Sequence, residues 1–308
     1  MRRQANWRMQ PLARRLMRGN AELHDLIAPG SLGAVLELLA AQPGQWTPIA
    51  GGTELMVAFS AGRLNAPRLV SLWGIPDLNF IETGVESVAI GAASTFLELR
   101  RNATIAAEFP LLAKAAAWIG SIANQSRATL GGNLVNGSPA ADSSPALFAY
   151  DAEIEMTSVR GKRRVPYSEF HTGYKRNVLA ADELLFAIHL PRRFARHQQY
   201  LRKVGTRRAM AIAKVALGAT VLLQNGRIAE IRLGAASVAP SPMRLRQTEA
   251  ALLGRPISRE TINESSRALL GEIRPIDDIR STTEYRRRVA VNLLAEFLME
   301  LRREGSPA

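Results

Sequence analysis

The segment that decides the fold is residues 129–145, which reads TLGGNLVNGSPAADSSP. Glycine, asparagine and proline recur through it, so the segment is predicted to be a loop. Paired glycines allow a backbone to come close to a ligand. With small hydroxyl and amide side chains besides, such a segment suits phosphates and sugar hydroxyls: its backbone N–H groups would bind the anion, and its one carboxylate, Asp142, would bind a hydroxyl. On this segment alone, an ordinary glycine-rich surface loop remains the alternative.

A second glycine pair lies about 80 residues earlier, in residues 46–56, which read WTPIAGGTELM. A short apolar strand is predicted to lead there into a Gly-Gly-Thr turn. The turn is not a phosphate-binding Walker loop, because no Gly-Lys-Ser/Thr follows, and it lacks the Gly-x-Gly-x-x-Gly dinucleotide fingerprint. Two separate glycine pairs predict one extended ligand that is held from two sides.

The sequence Ala50-Gly-Gly-Thr-Glu-Leu55, together with Thr129-Leu-Gly-Gly-Asn133 and Asp142, resembles the FAD-binding subunit of molybdenum hydroxylases. That family includes the medium subunit of aerobic carbon monoxide dehydrogenase and the flavin domain of xanthine dehydrogenase. The resemblance extends from about residue 22 to residue 303. It implies an α+β fold: a two-subdomain FAD-binding domain of the vanillyl-alcohol-oxidase/PCMH type, then a small α+β C-terminal domain with a three-stranded sheet plus helices.

Polar breaks in the chain give the expected domain boundaries. Residues 1–21 are predicted to be a basic, disordered leader, and residues 22–192 the FAD-binding domain, with subdomains at about 22–80 and 85–192. The C-terminal domain is expected at 197–303, after the Arg-rich break that begins at Arg192.

Within the expected C-terminal domain, an Asn-Gly pair between two apolar runs is a strong hairpin signal. Apolar periodicity beyond it predicts three helices, near 244–253, 258–272 and 282–303.

The resemblance also implies the residues that hold the cofactor. Ile49 to Met56 would wrap the FAD pyrophosphate, and Asp142 would accept a hydrogen bond from a cofactor hydroxyl. The implied set is Ile49, Ala50, Gly51, Gly52, Thr53, Glu54, Leu55, Met56, Ile119, Thr129, Leu130, Gly131, Gly132, Asn133, Asp142, Leu185 and Lys203.

Several of these residues have a plainer alternative interpretation. Glu54 could be a surface or capping carboxylate, and Asp142 could cap the helix predicted at 145–150. Ile119 and Leu185 could be core residues, and a lone lysine such as Lys203 is usually solvated.

Composition limits the chemistry of the chain. It has 308 residues, no cysteine and four histidines without close metal-ligand spacing, so iron–sulfur clusters, cysteine-ligated zinc and thiol nucleophiles are excluded. The net charge is +13, and six arginines fall in residues 1–20. Nucleic-acid binding is not expected, because no recognised motif accompanies the charge. Residues 1–20 lack the apolar core of a secretory signal, and no apolar run of 18 residues occurs, so a cytoplasmic protein without a membrane span is expected.

The resemblance therefore predicts non-covalently bound FAD in an electron-transfer subunit without catalytic residues of its own. The expected partners are a small iron–sulfur subunit and a large molybdopterin subunit, arranged as a dimer of heterotrimers, with the substrate held in another chain. One alternative is a stand-alone FAD-dependent reductase of the same superfold, such as UDP-N-acetylenolpyruvoylglucosamine reductase. A second alternative is a basic nucleotide-binding protein without redox function.

Overall fold

Three short parallel strands organise the first lobe of the chain. The computed structural model describes residues 19–207 and 210–304, and the leader predicted at 1–21 lies outside the described residues as far as position 18. The strands pair in the order β1-β3-β2, with two helices on the connections. The elements are β1 Asp25–Ile27, α1 Leu32–Ala41, β2 Thr47–Ile49, α2 Leu55–Ser60 and β3 Arg68–Ser71.

Helix α1 shows why this lobe holds together. Its first turn is capped by Ser31, whose hydroxyl accepts a hydrogen bond from Ala34 N at 3.3 Å. Its buried face carries Val35 and Leu39, which join Val70 of β3 in one apolar cluster. The parallel strands and the helices between them therefore form a β-α-β arrangement in this part of the chain.

The second lobe is built on a five-stranded antiparallel sheet in the order β4-β5-β10-β6-β7. One face of this sheet packs against helices, and the shared core includes Ile90, Phe96, Ile154 and Ile188. A separate pair of short strands, β8 and β9, lies between β7 and β10 in the sequence. The strands are β4 Ile81–Thr83, β5 Ser87–Gly91, β6 Glu153–Ser158, β7 Gly161–Pro166, β8 His171–Gly173, β9 Arg176–Asn177 and β10 Leu184–Pro191.

Seven short helices complete the second lobe, and two of them overlap the segment that was predicted to be a loop. The segment 129–145 is not a continuous loop, because it contains all of α7 and the start of α8. Thr129 accepts a hydrogen bond from Gly132 N at 3.1 Å and so starts α7 despite the glycine pair. The helices are α3 Phe96–Arg101, α4 Ala103–Glu108, α5 Pro110–Trp118, α6 Ile122–Gln125, α7 Leu130–Asn136, α8 Ser144–Ala149 and α9 Tyr167–Phe170.

The C-terminal domain packs three helices against an antiparallel sheet. Its predicted hairpin is confirmed, since Asn225 and Gly226 turn the chain with φ values of 51° and 71°. The sheet has a fourth strand of two residues in addition to the predicted three, in the order β11-β12-β13-β14. The elements are β11 Gln198–Val204, β12 Val215–Gln224, β13 Arg227–Ala236, β14 Met243–Arg244, α10 Arg246–Leu252, α11 Arg259–Glu272 and α12 Thr283–Glu304.

Helix α8 joins the two domains. Every residue of this helix is buried, and its first turn lies against two glycines of the C-terminal sheet. A Cβ atom on Gly218 or Gly234 would lie 2.7 Å or 2.5 Å from Pro145 O, so larger residues at these positions would push the domains apart. Thr220 adds a hydrogen bond to Ala149 O at 2.7 Å across the same interface. The position of the C-terminal domain is therefore fixed by close backbone packing.

Candidate functional site

A cavity of about 500 Å³ lies between the first and second lobes. Three segments supply most of its wall: 46–55 from the first lobe, 128–136 around the start of α7, and 177–185 before and within β10. Clefts of this size between packed units are typical small-molecule sites. The fold thus brings both glycine pairs to one cavity.

The two glycine segments are in direct contact beside the cavity. A Cβ atom on Gly51 would lie 1.7 Å from Arg127 O, so the first segment packs against the chain just before Thr129. Only a residue without a side chain fits at this position. Gly52 follows with φ +75°, a left-handed conformation that favours glycine. The glycine pair at 51–52 therefore has a structural role in addition to any role in ligand binding.

The first segment offers backbone donors to the cavity. Across residues 19–207 and 210–304, the N–H groups of Gly51 to Leu55 have no protein acceptor within hydrogen-bonding reach. A left-handed glycine followed by a helical turn aims successive N–H groups to one side, and such concave surfaces bind anions. This wall of the cavity can therefore hold a phosphate through its backbone.

The second segment does not offer the same donors, and this corrects the expectation from its sequence. Leu130 N donates to Ser94 O at 3.0 Å, and Gly131 N donates to Ala92 O at 2.9 Å. Gly132 N is taken by the Thr129 hydroxyl. The glycines of α7 therefore present a smooth surface without free N–H groups, and the polar groups of this wall are side chains such as that of Asn133.

Asp142 and Lys203 form a buried ion pair across the domain interface. The Lys203 ammonium lies 2.6 Å from Asp142 Oδ2, with side chains only 8% and 10% exposed for the lysine and the aspartate. Asp142 therefore does not cap α8, and Lys203 is not solvated, so both plainer alternatives are wrong. Burial raises the pKa of the Asp142 carboxyl to about 6, although Lys203 opposes the rise.

One oxygen of this carboxylate is left without a partner. Asp142 Oδ1 is buried and accepts no hydrogen bond from any described residue. Neither Asp142 nor Lys203 lines the cavity, but the next residue, Ser143, donates to Asn133 Oδ1 at 2.7 Å, and Asn133 does line it. The ion pair is therefore connected to the second segment of the wall through Ser143.

The other predicted residues divide into those that line the cavity and those that do not. Met56 is half exposed, and Leu130 is fully buried in the core of the second lobe, so neither lines the cavity. Glu54 lines it but is also a surface residue that pairs with Lys175 at 3.3 Å. The predicted residues that do form the wall are Ile49, Ala50, Gly51, Gly52, Thr53, Glu54, Leu55, Ile119, Thr129, Gly131, Gly132, Asn133 and Leu185.

Some wall residues were absent from the predicted set. Trp46 is the first residue of the first segment and directly precedes β2, so its position could have suggested it. Asn136 and Asn177 come from different elements, and no spacing in the sequence connects them. Leu39, Leu72 and Leu78 belong to helix and strand ends that only packing brings to the cavity.

The described residues form neither a metal site nor a membrane-spanning helix. Across residues 19–207 and 210–304, no three histidine, aspartate or glutamate side chains come together as a metal site. None of the helices there combines the length and apolar character that a membrane-spanning segment needs.

Comparison with known proteins identifies the family. Residues 20–193 match the family described as the FAD binding domain in molybdopterin dehydrogenase, and residues 200–301 match the CO dehydrogenase flavoprotein C-terminal domain. The chain therefore belongs to the family of FAD-binding subunits of molybdopterin dehydrogenases, which are oxidoreductases, and the resemblance noted in its sequence is confirmed.

Individual relatives cover nearly the whole chain. The xanthine dehydrogenase FAD-binding subunit of Escherichia coli O157:H7 is 30% identical over 272 residues, which is 88% of this chain and 93% of that protein. The carbon monoxide dehydrogenase medium chain of Hydrogenophaga pseudoflava is 25% identical over 271 residues, 88% of this chain and 94% of the relative.

A solved structure has the same fold. A chain of carbon monoxide dehydrogenase from Hydrogenophaga pseudoflava, in a form that lacks the Mo-pyranopterin moiety of its cofactor, superposes with a TM-score of 0.85 at 26% identity. The match covers 89% of this chain and 95% of that chain. The predicted order, an FAD-binding domain followed by an α+β C-terminal domain, is confirmed.

Proposed function

We propose that this chain is the FAD-binding electron-transfer subunit of a heteromeric molybdenum hydroxylase. The observation that carries the proposal is the run of backbone N–H groups from Gly51 to Leu55, which line the cavity without a protein acceptor. An anionic pyrophosphate satisfies such donors, and the cavity extends from them along an apolar wall that suits a ring system. Family membership supplies the identity of the dinucleotide.

We propose a role for each residue of the predicted set. Ile49 to Met56 hold the pyrophosphate, mainly through the backbone. The unpartnered Asp142 Oδ1 accepts a hydrogen bond from a cofactor hydroxyl, and Lys203 holds that carboxylate in place. Ile119 and Leu185 pack against the cofactor and keep water from it, since both line the apolar part of the cavity.

The rest of the proposed set forms the second wall. Thr129 and Asn133 fix the start of α7 and its link to Ser143, while the glycines of α7 allow close approach of the ligand. The remaining contacts are proposed for Leu130, Gly131 and Gly132, with Leu130 acting from the core behind the wall. Bound FAD would supply the redox chemistry, since it can take up electrons and pass them to an external acceptor.

The chain cannot hold an iron–sulfur relay of its own, because it contains no cysteine. We therefore propose that a small iron–sulfur subunit delivers electrons and that a large molybdopterin subunit holds the substrate, in a dimer of heterotrimers. The named relatives are subunits of xanthine and carbon monoxide dehydrogenases, which agrees with such an assembly. A cytoplasmic location, and the domain limits 22–192 and 197–303, belong to the same proposal.

The first test is the cofactor itself. Acid precipitation of the purified chain should release FAD into the supernatant in a one-to-one ratio, because no covalent attachment is proposed. A colourless protein that cannot be reconstituted with FAD would support the non-redox alternative. Rapid substrate turnover by the isolated flavoprotein would support the stand-alone reductase.

A matched pair of variants tests the position of the site. Gly132→Val should lose FAD and remain folded, because its Cβ atom meets only the Thr129 hydroxyl, at 2.9 Å, while the side chain enters the cavity. Gly271→Val in α11 is the control, since a Cβ atom there meets nothing within 4 Å and the position is remote from the cavity wall. If soluble Gly132→Val protein contains as much flavin as wild type, the cofactor site does not lie against this part of α7.

A further inference from the structure

Five exposed apolar side chains, here called the apolar ridge, come from three neighbouring parts of the C-terminal domain. Two lie in the loop between β11 and β12, two in the loop between α11 and α12, and one at the start of α12. Ile279 is the extreme case, with a relative exposure of 101%. The ridge consists of Met210, Ile212, Ile276, Ile279 and Tyr285.

A buried arginine ties these parts together. Arg286 is only 3% exposed, and its guanidinium donates to Lys214 O at 2.7 Å and to Asp278 Oδ1 at 2.8 Å. The Lys214 ammonium in turn lies 5.0 Å from the centre of the Tyr285 ring. Both terminal nitrogens of this buried guanidinium are paired, while its Nε has no partner among the described residues, and the paired nitrogens hold the two loops in a fixed relation.

The turn that carries Ile279 is itself rigid. The Asp278 carboxylate accepts hydrogen bonds from Arg280 N at 2.8 Å and Ser281 N at 3.1 Å, besides the bond from Arg286. Ile279 is therefore held in the open by a turn that is anchored on both sides. A fixed, projecting apolar side chain loses little entropy when a partner covers it, which favours binding.

The ridge lies at the end of the domain that is next to the candidate cofactor site. The β11–β12 loop begins directly after Lys203 and Val204, and Lys214 N donates to Val204 O at 2.8 Å. Ser237, which accepts a bond from Arg286, donates its own N–H to Pro139 O at 2.7 Å, three residues before Asp142. A partner on the ridge would therefore sit beside the buried Asp142–Lys203 pair.

The charge around the ridge indicates what kind of partner surface fits it. The described residues within 205–214 and 274–288, which carry the ridge, include seven basic and three acidic residues. Asp278 is already neutralised by Arg286 and Arg280. A protein face that fits here must offer an apolar pocket inside an acidic rim, since complementary charge steers association and like charge opposes it.

We propose that the apolar ridge is the docking surface for the electron-donating iron–sulfur chain, with Ile279 as its anchor. This inference rests on the proposed function, because it requires a flavin in this chain and clusters in the partner. The partner inserts no residue into the cavity. It covers the ridge, and its acidic rim faces the basic residues of the two loops.

The test compares two exposed apolar residues in the intact assembly. The chain is tagged, co-expressed with its partner chains and purified, and FAD per chain and iron per FAD are measured, since all the iron belongs to the partner. Ile279→Asp should leave FAD per chain unchanged and weaken partner binding at least about tenfold, as loss of an interface anchor does. Val85→Asp is the control, because Val85 is 91% exposed on the β4–β5 turn of the second lobe.

The outcomes separate the two proposals. A wild-type iron-to-FAD ratio in Ile279→Asp, under dilution that dissociates weak complexes, would overturn the docking proposal. An equal loss in Val85→Asp would overturn it as well. Wild-type chain without FAD would instead overturn the proposed function.

A second variant tests the acidic rim that is proposed for the partner. Arg288→Glu should slow association with the partner and make the association rate less dependent on salt. An unchanged salt dependence would contradict an acidic partner.

Discussion

The buried carboxylate of Asp142 should give the flavin-free protein a measurable pH dependence of stability. Asp142→Asn removes the titrating group and keeps its size. Burial raises the pKa of this carboxyl from its ordinary 3.8 to about 6 in the folded chain, even with Lys203 alongside. The folded protein therefore takes up a proton here at a higher pH than the unfolded chain does.

The sign and size of the effect follow from this difference. Between about pH 4 and pH 6 the folded state binds more protons than the unfolded state at this position, so the free energy of unfolding falls as the pH rises. The gap from 3.8 to about 6 corresponds to about 3 kcal/mol, since one pKa unit equals about 1.4 kcal/mol. Asp142→Asn lacks this loss, and it should therefore gain stability relative to wild type between about pH 4 and pH 7.

The assay is urea denaturation of both flavin-free proteins, once at about pH 4 and once at about pH 7. At each pH, the free energy of unfolding of wild type is subtracted from that of the variant, which cancels the contribution of all other titrating groups. The change of this difference between the two pH values also cancels the constant cost of altering the pair with Lys203. Asp182→Asn is the control, because the hydrogen bond from Arg160 lowers the pKa of Asp182 below its ordinary 3.8, so its difference from wild type should stay nearly constant across this pH range. If Asp142→Asn differs from wild type by the same amount at both pH values, the reasoning about its burial is refuted.

Two further predictions concern the packing around the site. Gly51→Ala should destabilise the protein by about 3 kcal/mol or more, because its Cβ atom would lie 1.7 Å from Arg127 O. Gly33→Ala in α1, where a Cβ atom meets nothing within 4 Å, should instead stabilise it by up to about 1 kcal/mol, and equal urea midpoints for the two would contradict the argument. Tyr150→Phe should cost about 1–3 kcal/mol, because it leaves Leu111 N, now 2.9 Å from the buried phenol oxygen, without an acceptor; an unchanged thermal midpoint would show that the amide finds another partner.

The sequence by itself determined the order of domains and many of the elements. The Asn-Gly hairpin at 225–226 follows from local turn chemistry, and the last three helices follow from apolar periodicity. The Gly-Gly-Thr segment at 51–53 was recognisable as a place where backbone meets a ligand. These features depend on residues within a few positions of one another, and local patterns report such features well.

Tertiary structure decided what those segments do. The glycines at 131–132 predict a loop by composition, yet they lie in a helix because the Thr129 hydroxyl caps it and Gly131 fits against Ala92. Propensity is a weak preference that such packing overrides.

The buried pair of Asp142 and Lys203 could not be found in the sequence either. These residues are 61 positions apart and belong to different domains, so only the seating of α8 on the C-terminal sheet brings their charges together. That same seating excludes water from the carboxylate, which raises its pKa and leaves one oxygen without a partner. The sequence could supply the two groups, but their distance and their burial exist only in the folded chain.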